Sequence, residues 1–72
     1  MTKEDFILKF TDILQTEEEI SMDTLLEDLE DWDSLNIMAC VSWFLENKIN
    51  ITTKEIASCK TVGDIAKKFG IN

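Results

Sequence analysis

Apolar residues in this chain recur at intervals of three and four, the spacing of one face of an α-helix. The clearest case lies near the start, where the pattern predicts a helix over residues 3–14 with Thr2 as its N-cap. No proline interrupts the chain, glycine occurs only at positions 63 and 70, and strand signals are confined to residues 49–53. The chain is therefore predicted to be all-α.

Three further helices are predicted, over residues 34 to about 48, 53–58 and 62–69. Thr52 and Thr61 stand at capping positions, and Gly70 is placed to end the last helix. Because a chain of 72 residues has enough apolar side chains for one core only, residues 1–72 are predicted to form a single domain.

A long segment without a clean period, residues 15–33, joins the first two predicted helices. It holds nine acidic residues: Glu17, Glu18, Glu19, Asp23, Glu27, Asp28, Glu30, Asp31 and Asp33. We expect an ordered loop with a short helical turn near residues 25–29, tied to the core by its apolar side chains: Ile20, Met22, Leu25, Leu26 and Leu29. Four helices with one long first connection and a short third helix predict a small four-helix bundle.

Helical spacing divides the second predicted helix into two faces. The expected core face holds Leu35, Met38, Val41, Leu45 and Ile49, widened by Ile37 and Phe44. The expected outward face holds Asn36, Ala39, Cys40, Trp43, Glu46 and Asn47.

The composition argues against an enzyme. The chain has no histidine, so neither a Ser–His nor a Cys–His pair can be built, and a core this small cannot enclose a deep substrate pocket. Cys40 and Cys59 are expected to act as small hydrophobic residues in a reduced, cytoplasmic protein, with a structural disulfide as the weaker alternative.

The net charge is −8, from 15 acidic and 7 basic residues. Such a surface repels nucleic acid and anionic membranes and suits basic partner proteins, although it also serves solubility alone. No apolar stretch has the length of a transmembrane helix or the form of a signal peptide, so neither membrane insertion nor secretion is expected.

The segment Asp31-Trp32-Asp33-Ser34-Leu35 lies where the acidic loop meets the second helix. Together with residues 23–29 and 59–65, its Asp-Ser-Leu tripeptide resembles the acyl and peptidyl carrier protein family over essentially the whole chain. The resemblance implies that Ser34 is esterified with 4′-phosphopantetheine from coenzyme A. It further implies that Asp33 assists a Mg-dependent transferase and that Leu35 is a core and recognition contact.

A specialised carrier of this kind would hold acyl or aminoacyl groups as thioesters in fatty acid or secondary-metabolite biosynthesis. The partners implied are a phosphopantetheinyl transferase, an acyl- or aminoacyl-activating ligase, and acyltransferases or synthases, with the carrier itself a monomer. A serine at a helix start suits a phosphodiester, because the positive end of the helix dipole lies there.

Other interpretations stay open at this level. Asp33 or Ser34 could serve only as an N-cap, or Asp33 could cap the helix while Ser34 is modified. The whole chain could also be an unmodified acidic module that binds a basic partner.

Typical members of the family carry acidic residues along the exposed face of this helix. This chain departs from that pattern, because the first turns of the expected outward face hold no acidic residue. We therefore expect partners to contact Asp31, Asn36, Ala39, Cys40 and Trp43, with Trp43 as an apolar anchor and the loop acids steering the encounter. The alternative is that Trp43 folds over neighbouring side chains. Core residues could line an acyl cavity in which bulky Phe44 leaves room only for a short or polar cargo.

Overall fold

The computed structural model describes residues 1–71, so Asn72, the last residue of the predicted domain, lies outside the described part. The helices are α1 (Lys3–Leu14), α2 (Ser34–Glu46), α3 (Thr53–Ala57) and α4 (Val62–Phe69). No β-strand occurs among residues 1–71, which confirms the predicted all-α class. The bounds of α1 and α4 agree with the prediction, whereas α2 and α3 end slightly earlier than expected.

Threonines begin three of the helices, as predicted. Thr2 forms a capping box with Asp5, and Thr61 forms one with Asp64. In each box the threonine side chain accepts a hydrogen bond from the aspartate amide, and the aspartate side chain accepts one from the threonine amide. Thr52 accepts a hydrogen bond from the amide of Glu55 at the start of α3. Gly70 ends α4 with a φ of 100°, a left-handed conformation that glycine adopts without a steric penalty.

The connection between α1 and α2, residues 15–33, lies against the start of α4. Leu26 donates to the carbonyl of Lys60 at 2.9 Å, Val62 donates to that of Thr24 at 3.0 Å, and Gly63 donates to that of Met22 at 2.8 Å. A short 3-10 turn at Leu26–Asp28 lies within the predicted region. These backbone bonds, with buried apolar side chains at Ile20, Leu26 and Leu29, fix the segment that leads to Ser34.

The core is dominated by aromatic rings from three helices. Trp43 lies with its ring centroid 5.0 Å from that of Phe6 and 4.9 Å from that of Phe69. Phe44 approaches Phe69 edge to face at 4.9 Å. Such offset and edge-to-face pairs add to the stabilisation that their buried area already provides.

The predicted orientation of α2 is wrong in part. Phe44 is buried as expected, and Ile37, Val41 and Ile49 are half-buried against the core. Cys40 is fully buried and Trp43 is 4% exposed, although both were expected to face outward. Leu35, Met38 and Leu45 were expected in the core and are 76%, 58% and 51% exposed. The helix carries apolar residues on both sides, so periodicity alone does not select a face. The structure turns inward the side with the indole and Phe44, because aromatic rings bury the most apolar area.

Candidate functional site

Ser34 is the first residue of α2, and its side chain is exposed. The residue before it, Asp33, is the N-cap, and its Oδ1 accepts a hydrogen bond of 3.0 Å from the amide of Asn36. The capping function therefore belongs to Asp33 rather than to Ser34. This leaves the Ser34 hydroxyl at the surface of the N-terminal end of a 13-residue helix.

Opposing charges meet at this end of α2. The N-terminal end of a helix carries a partial positive charge, and the first turn of α2 contains no acidic side chain. The Asp33 carboxylate caps the helix through Oδ1, so a negative group already lies at that positive end, and Asp31 is exposed two residues earlier. The helix end therefore favours an anion on Ser34, whereas these two carboxylates oppose it.

Two contacts fix the backbone just before Ser34. The side-chain amide of Asn36 donates to the carbonyl of Asp31, and the amide of Trp32 donates to the carbonyl of Leu29 at 3.2 Å. The Trp32 ring is half-buried, with its centroid 5.8 Å from that of Phe10 on α1. The acidic connection is thus anchored to the core immediately before the candidate attachment residue.

Ser34 also lines a shallow cleft between α2 and α3, which we call the α2–α3 cleft. It measures about 320 Å³, and its other lining residues are Ile37, Met38, Thr53, Lys54 and Ala57. This volume lies at the small end of the range for small-molecule sites. The contributions of Lys54 and Ala57 were not predicted, because they depend on how α3 packs beside α2.

Exposed apolar side chains continue from Ser34 along the outer side of α2. We call Leu35, Met38 and Leu45 the α2 apolar stripe. Their intervals of three and seven residues place them on one face of the helix. This stripe lies on the outward face of α2, where the sequence analysis had placed Cys40 and Trp43.

Of the five predicted partner contacts, only Asp31 is exposed. Asn36 and Ala39 are half-buried, and Asn36 is engaged with the Asp31 carbonyl. The assignments of Cys40 and Trp43 are wrong, because both side chains lie in the core. No sequence signal identified the correct face, because the side that proves exposed carries the large apolar residues Leu35, Met38 and Leu45.

Neither cysteine is suited to nucleophilic chemistry, and both are free. Burial raises the pKa of the Cys40 thiol to about 12. Burial also raises the pKa of the Cys59 thiol, and the nearby Lys68 charge opposes that effect. Because the thiolate is the reactive form, both thiols are poor nucleophiles at neutral pH.

Comparison of the chain with protein-family models, with curated proteins and with solved structures finds no match. Among residues 1–71, no helix combines the length and the apolar character needed to cross a bilayer.

Proposed function

We propose that this chain is a non-catalytic carrier that holds acyl or aminoacyl groups as thioesters on a 4′-phosphopantetheine arm attached to Ser34. The observation that supports it most strongly is the position of Ser34. Its side chain is exposed at the first residue of α2, while Asp33 caps the helix. An Asp-Ser-Leu tripeptide at such a helix start is what the resemblance to carrier proteins requires.

Attachment needs no base on the carrier. The Ser34 Oγ attacks the phosphorus of coenzyme A that bears the pantetheine, and an Oγ–P bond forms. The bond from that phosphorus to the oxygen bridging the two phosphates breaks, adenosine 3′,5′-bisphosphate leaves, and the serine proton passes to a base of the transferase. Asp33 is exposed and lies beside Ser34, where its carboxylate can face the Mg-dependent transferase.

Once attached, the arm supplies a thiol that forms the thioester. The protein contributes the attachment point and the surface that partners recognise. The missing histidine and the unreactive cysteines fit a protein that leaves all bond-making to its partner enzymes.

Under this proposal, residues 1–72 form one carrier-type four-helix bundle with a long first connection and a short third helix. The order of the elements and the anchoring of residues 15–33 support it. A monomer follows from the same proposal, because the carrier must be passed between separate enzymes. The cytoplasmic location expected from the sequence is part of the proposal as well.

The partner surface under this proposal is the α2 apolar stripe with the acids of the connection beside it. Asp28, Glu30, Asp31 and Asp33 are exposed and precede the stripe along the chain. An apolar contact bordered by negative charge is complementary to a partner that presents a nonpolar socket with Arg or Lys around it. Transferase, ligase and acyltransferase partners are expected to share these features.

Intact-mass spectrometry after incubation with coenzyme A and a broad-specificity phosphopantetheinyl transferase tests the proposal. We expect the mass to rise by one phosphopantetheine, and we expect Ser34→Ala to abolish the increase. Ser42→Ala is a matched control, since Ser42 is an exposed serine on the same helix and its loss should leave the modification intact. An unchanged mass of the unaltered protein would instead favour the unmodified acidic binding module.

A further inference from the structure

We propose that the acyl end of the arm lies in a surface cleft between the α1–α2 connection and the end of α3, and not in the core of the bundle. This inference rests on the proposed function, because it concerns the cargo of the arm on Ser34. The cleft, which we call the loop–α3 cleft, measures about 410 Å³. Its lining residues are Leu25, Leu26, Glu27, Trp32, Ala57, Cys59 and Lys60.

The core beneath α2 is filled by packed side chains. Phe44 and Cys40 are fully buried, and the ring of Phe44 lies 4.9 Å from that of Phe69. Neither Trp43 nor Phe44 lines the α2–α3 cleft or the loop–α3 cleft. A chain entering the core would have to displace these packed rings, and close-packed interiors resist such overfilling.

Ala57 connects the attachment residue to the loop–α3 cleft. It lines both this cleft and the α2–α3 cleft, which begins at Ser34. Its side chain is exposed and consists of a single methyl group, so it forms a low boundary between the two spaces. The path we propose for the arm runs from Ser34 along the α2–α3 cleft and past Ala57.

The lining of the loop–α3 cleft fits a short acyl group with an apolar body. The half-buried Trp32 provides an aromatic wall, and Leu25, 42% exposed, provides an aliphatic one. Glu27 and Lys60 are exposed and place opposite charges in the same lining, so neither sign of charged cargo is favoured. Cys59 is in the lining, and burial raises the pKa of its thiol, which disfavours the reactive thiolate.

The two tryptophans make the location of the cargo measurable. Trp32 lines the proposed cleft and Trp43 lies in the core, so their indole N–H signals report on the two spaces separately. The transferase is supplied with coenzyme A, acetyl-, butyryl- or phenylacetyl-coenzyme A, and each product is checked by intact mass. We expect the Trp32 signal to shift progressively from the bare arm to the phenylacetyl form while the Trp43 signal stays in place.

A pair of variants at one position tests the route. Ala57→Phe places a ring between the two clefts, whereas Ala57→Ser keeps the side chain small. Each acylated variant is compared with its own bare-arm form, which removes the direct effect of the substitution on Trp32. We expect Ala57→Phe to lose most of the acyl-dependent Trp32 shift and Ala57→Ser to retain it, with full loading of both.

The other outcomes overturn the inference in distinguishable ways. An acyl-dependent shift of Trp43 places the cargo in the core, and a shift of neither indole leaves the arm in solvent. An unchanged shift in Ala57→Phe rules out the route past Ala57. A failure of the mass to increase overturns the proposed function itself, and this inference with it.

Discussion

The backbone amide of Gly63 donates a hydrogen bond of 2.8 Å to the carbonyl oxygen of Met22, which holds the first turn of α4 against the acidic connection. A Cβ on residue 63 would lie 2.9 Å from that same oxygen. The crowded oxygen belongs to the Met22 backbone, so no flexible side chain can move aside to make room for the added Cβ. The position of the connection, and through it that of Ser34, depends on this close approach.

Gly63→Ala is therefore expected to destabilise the protein by about 1–3 kcal/mol, the usual cost of overpacking. This result would oppose helix propensity, which favours alanine over glycine by about 1 kcal/mol. Urea denaturation followed by circular dichroism measures the difference. Ser42→Ala, an exposed substitution on α2, should change stability by no more than about 0.5 kcal/mol. A gain in stability of about 1 kcal/mol, the propensity difference alone, would show that the connection does not press on α4.

Lys48 adopts a φ of 63° just after α2, in the left-handed region. That conformation costs a residue with a side chain about 1–2 kcal/mol but costs glycine little. We expect Lys48→Gly to raise the free energy of unfolding by about 0.5–1 kcal/mol, with part of the gain offset by the greater freedom of glycine in the unfolded chain. Lys48→Ala removes the same charge and retains the strain, so it should not be stabilising. A gain in both variants would assign the effect to charge instead.

Asp64 completes the capping box of α4, and its pKa is lowered by hydrogen bonds from the amides of Lys60 and then of Thr61. Both bonds are 3.1 Å long and end on Oδ2. Since the folded-state pKa lies below the unfolded one, the stabilisation is present above the ordinary aspartate pKa of about 3.9 and is lost as the pH falls through the folded value. Asp64→Asn should flatten stability against pH in that acidic range. Asp12→Asn, at an exposed position of α1, removes an equal charge and should preserve the slope.

Cys40 and Cys59 should differ in their rates of alkylation. Cys40 is fully buried with a pKa raised to about 12. Cys59 is half-buried, and its pKa is raised by burial while the Lys68 charge opposes that effect. In the native protein at pH 8, iodoacetamide should label Cys59 first, and peptide mapping identifies the site. Rapid labelling of Cys40 would mean that the core opens readily. Labelling of both at one rate in urea provides the control.

Sequence reasoning succeeded where a helix has one apolar face and clear caps. Thr2 with Asp5 and Thr61 with Asp64 marked helix starts that the structure reproduces. The reasoning failed in part on α2, where Cys40 and Trp43 are buried although they lie outside the apolar face that the periodicity selects. The decision then rests on how Trp43 packs with rings from distant parts of the chain, which no local pattern contains. The two clefts were also beyond prediction, because α3 and the connection meet only in the folded chain.

Because Trp43 is buried and Leu35 is exposed, we expect Trp43 to matter for stability and Leu35 for partner binding. Trp43→Ala should cost about 3–5 kcal/mol, because it removes a buried ring that contacts Phe6 and Phe69. Leu35→Ala should change stability by no more than about 0.5 kcal/mol, because the side chain is 76% exposed. Thermal or urea unfolding distinguishes the two.

The same orientation predicts the opposite order for partner binding. Leu35 follows Ser34 directly and belongs to the α2 apolar stripe. Under the proposed function, Leu35→Ala should therefore raise the KM of the phosphopantetheinyl transferase for this protein about fivefold or more, the effect of truncating an interface anchor. Trp43→Phe keeps an aromatic ring in the core and should leave that KM unchanged in the folded protein. A KM that rises for Trp43→Phe but not for Leu35→Ala would mean that the transferase does not use the outer face of α2. The exposed stripe would then have to serve a different partner, such as the ligase that supplies the acyl group.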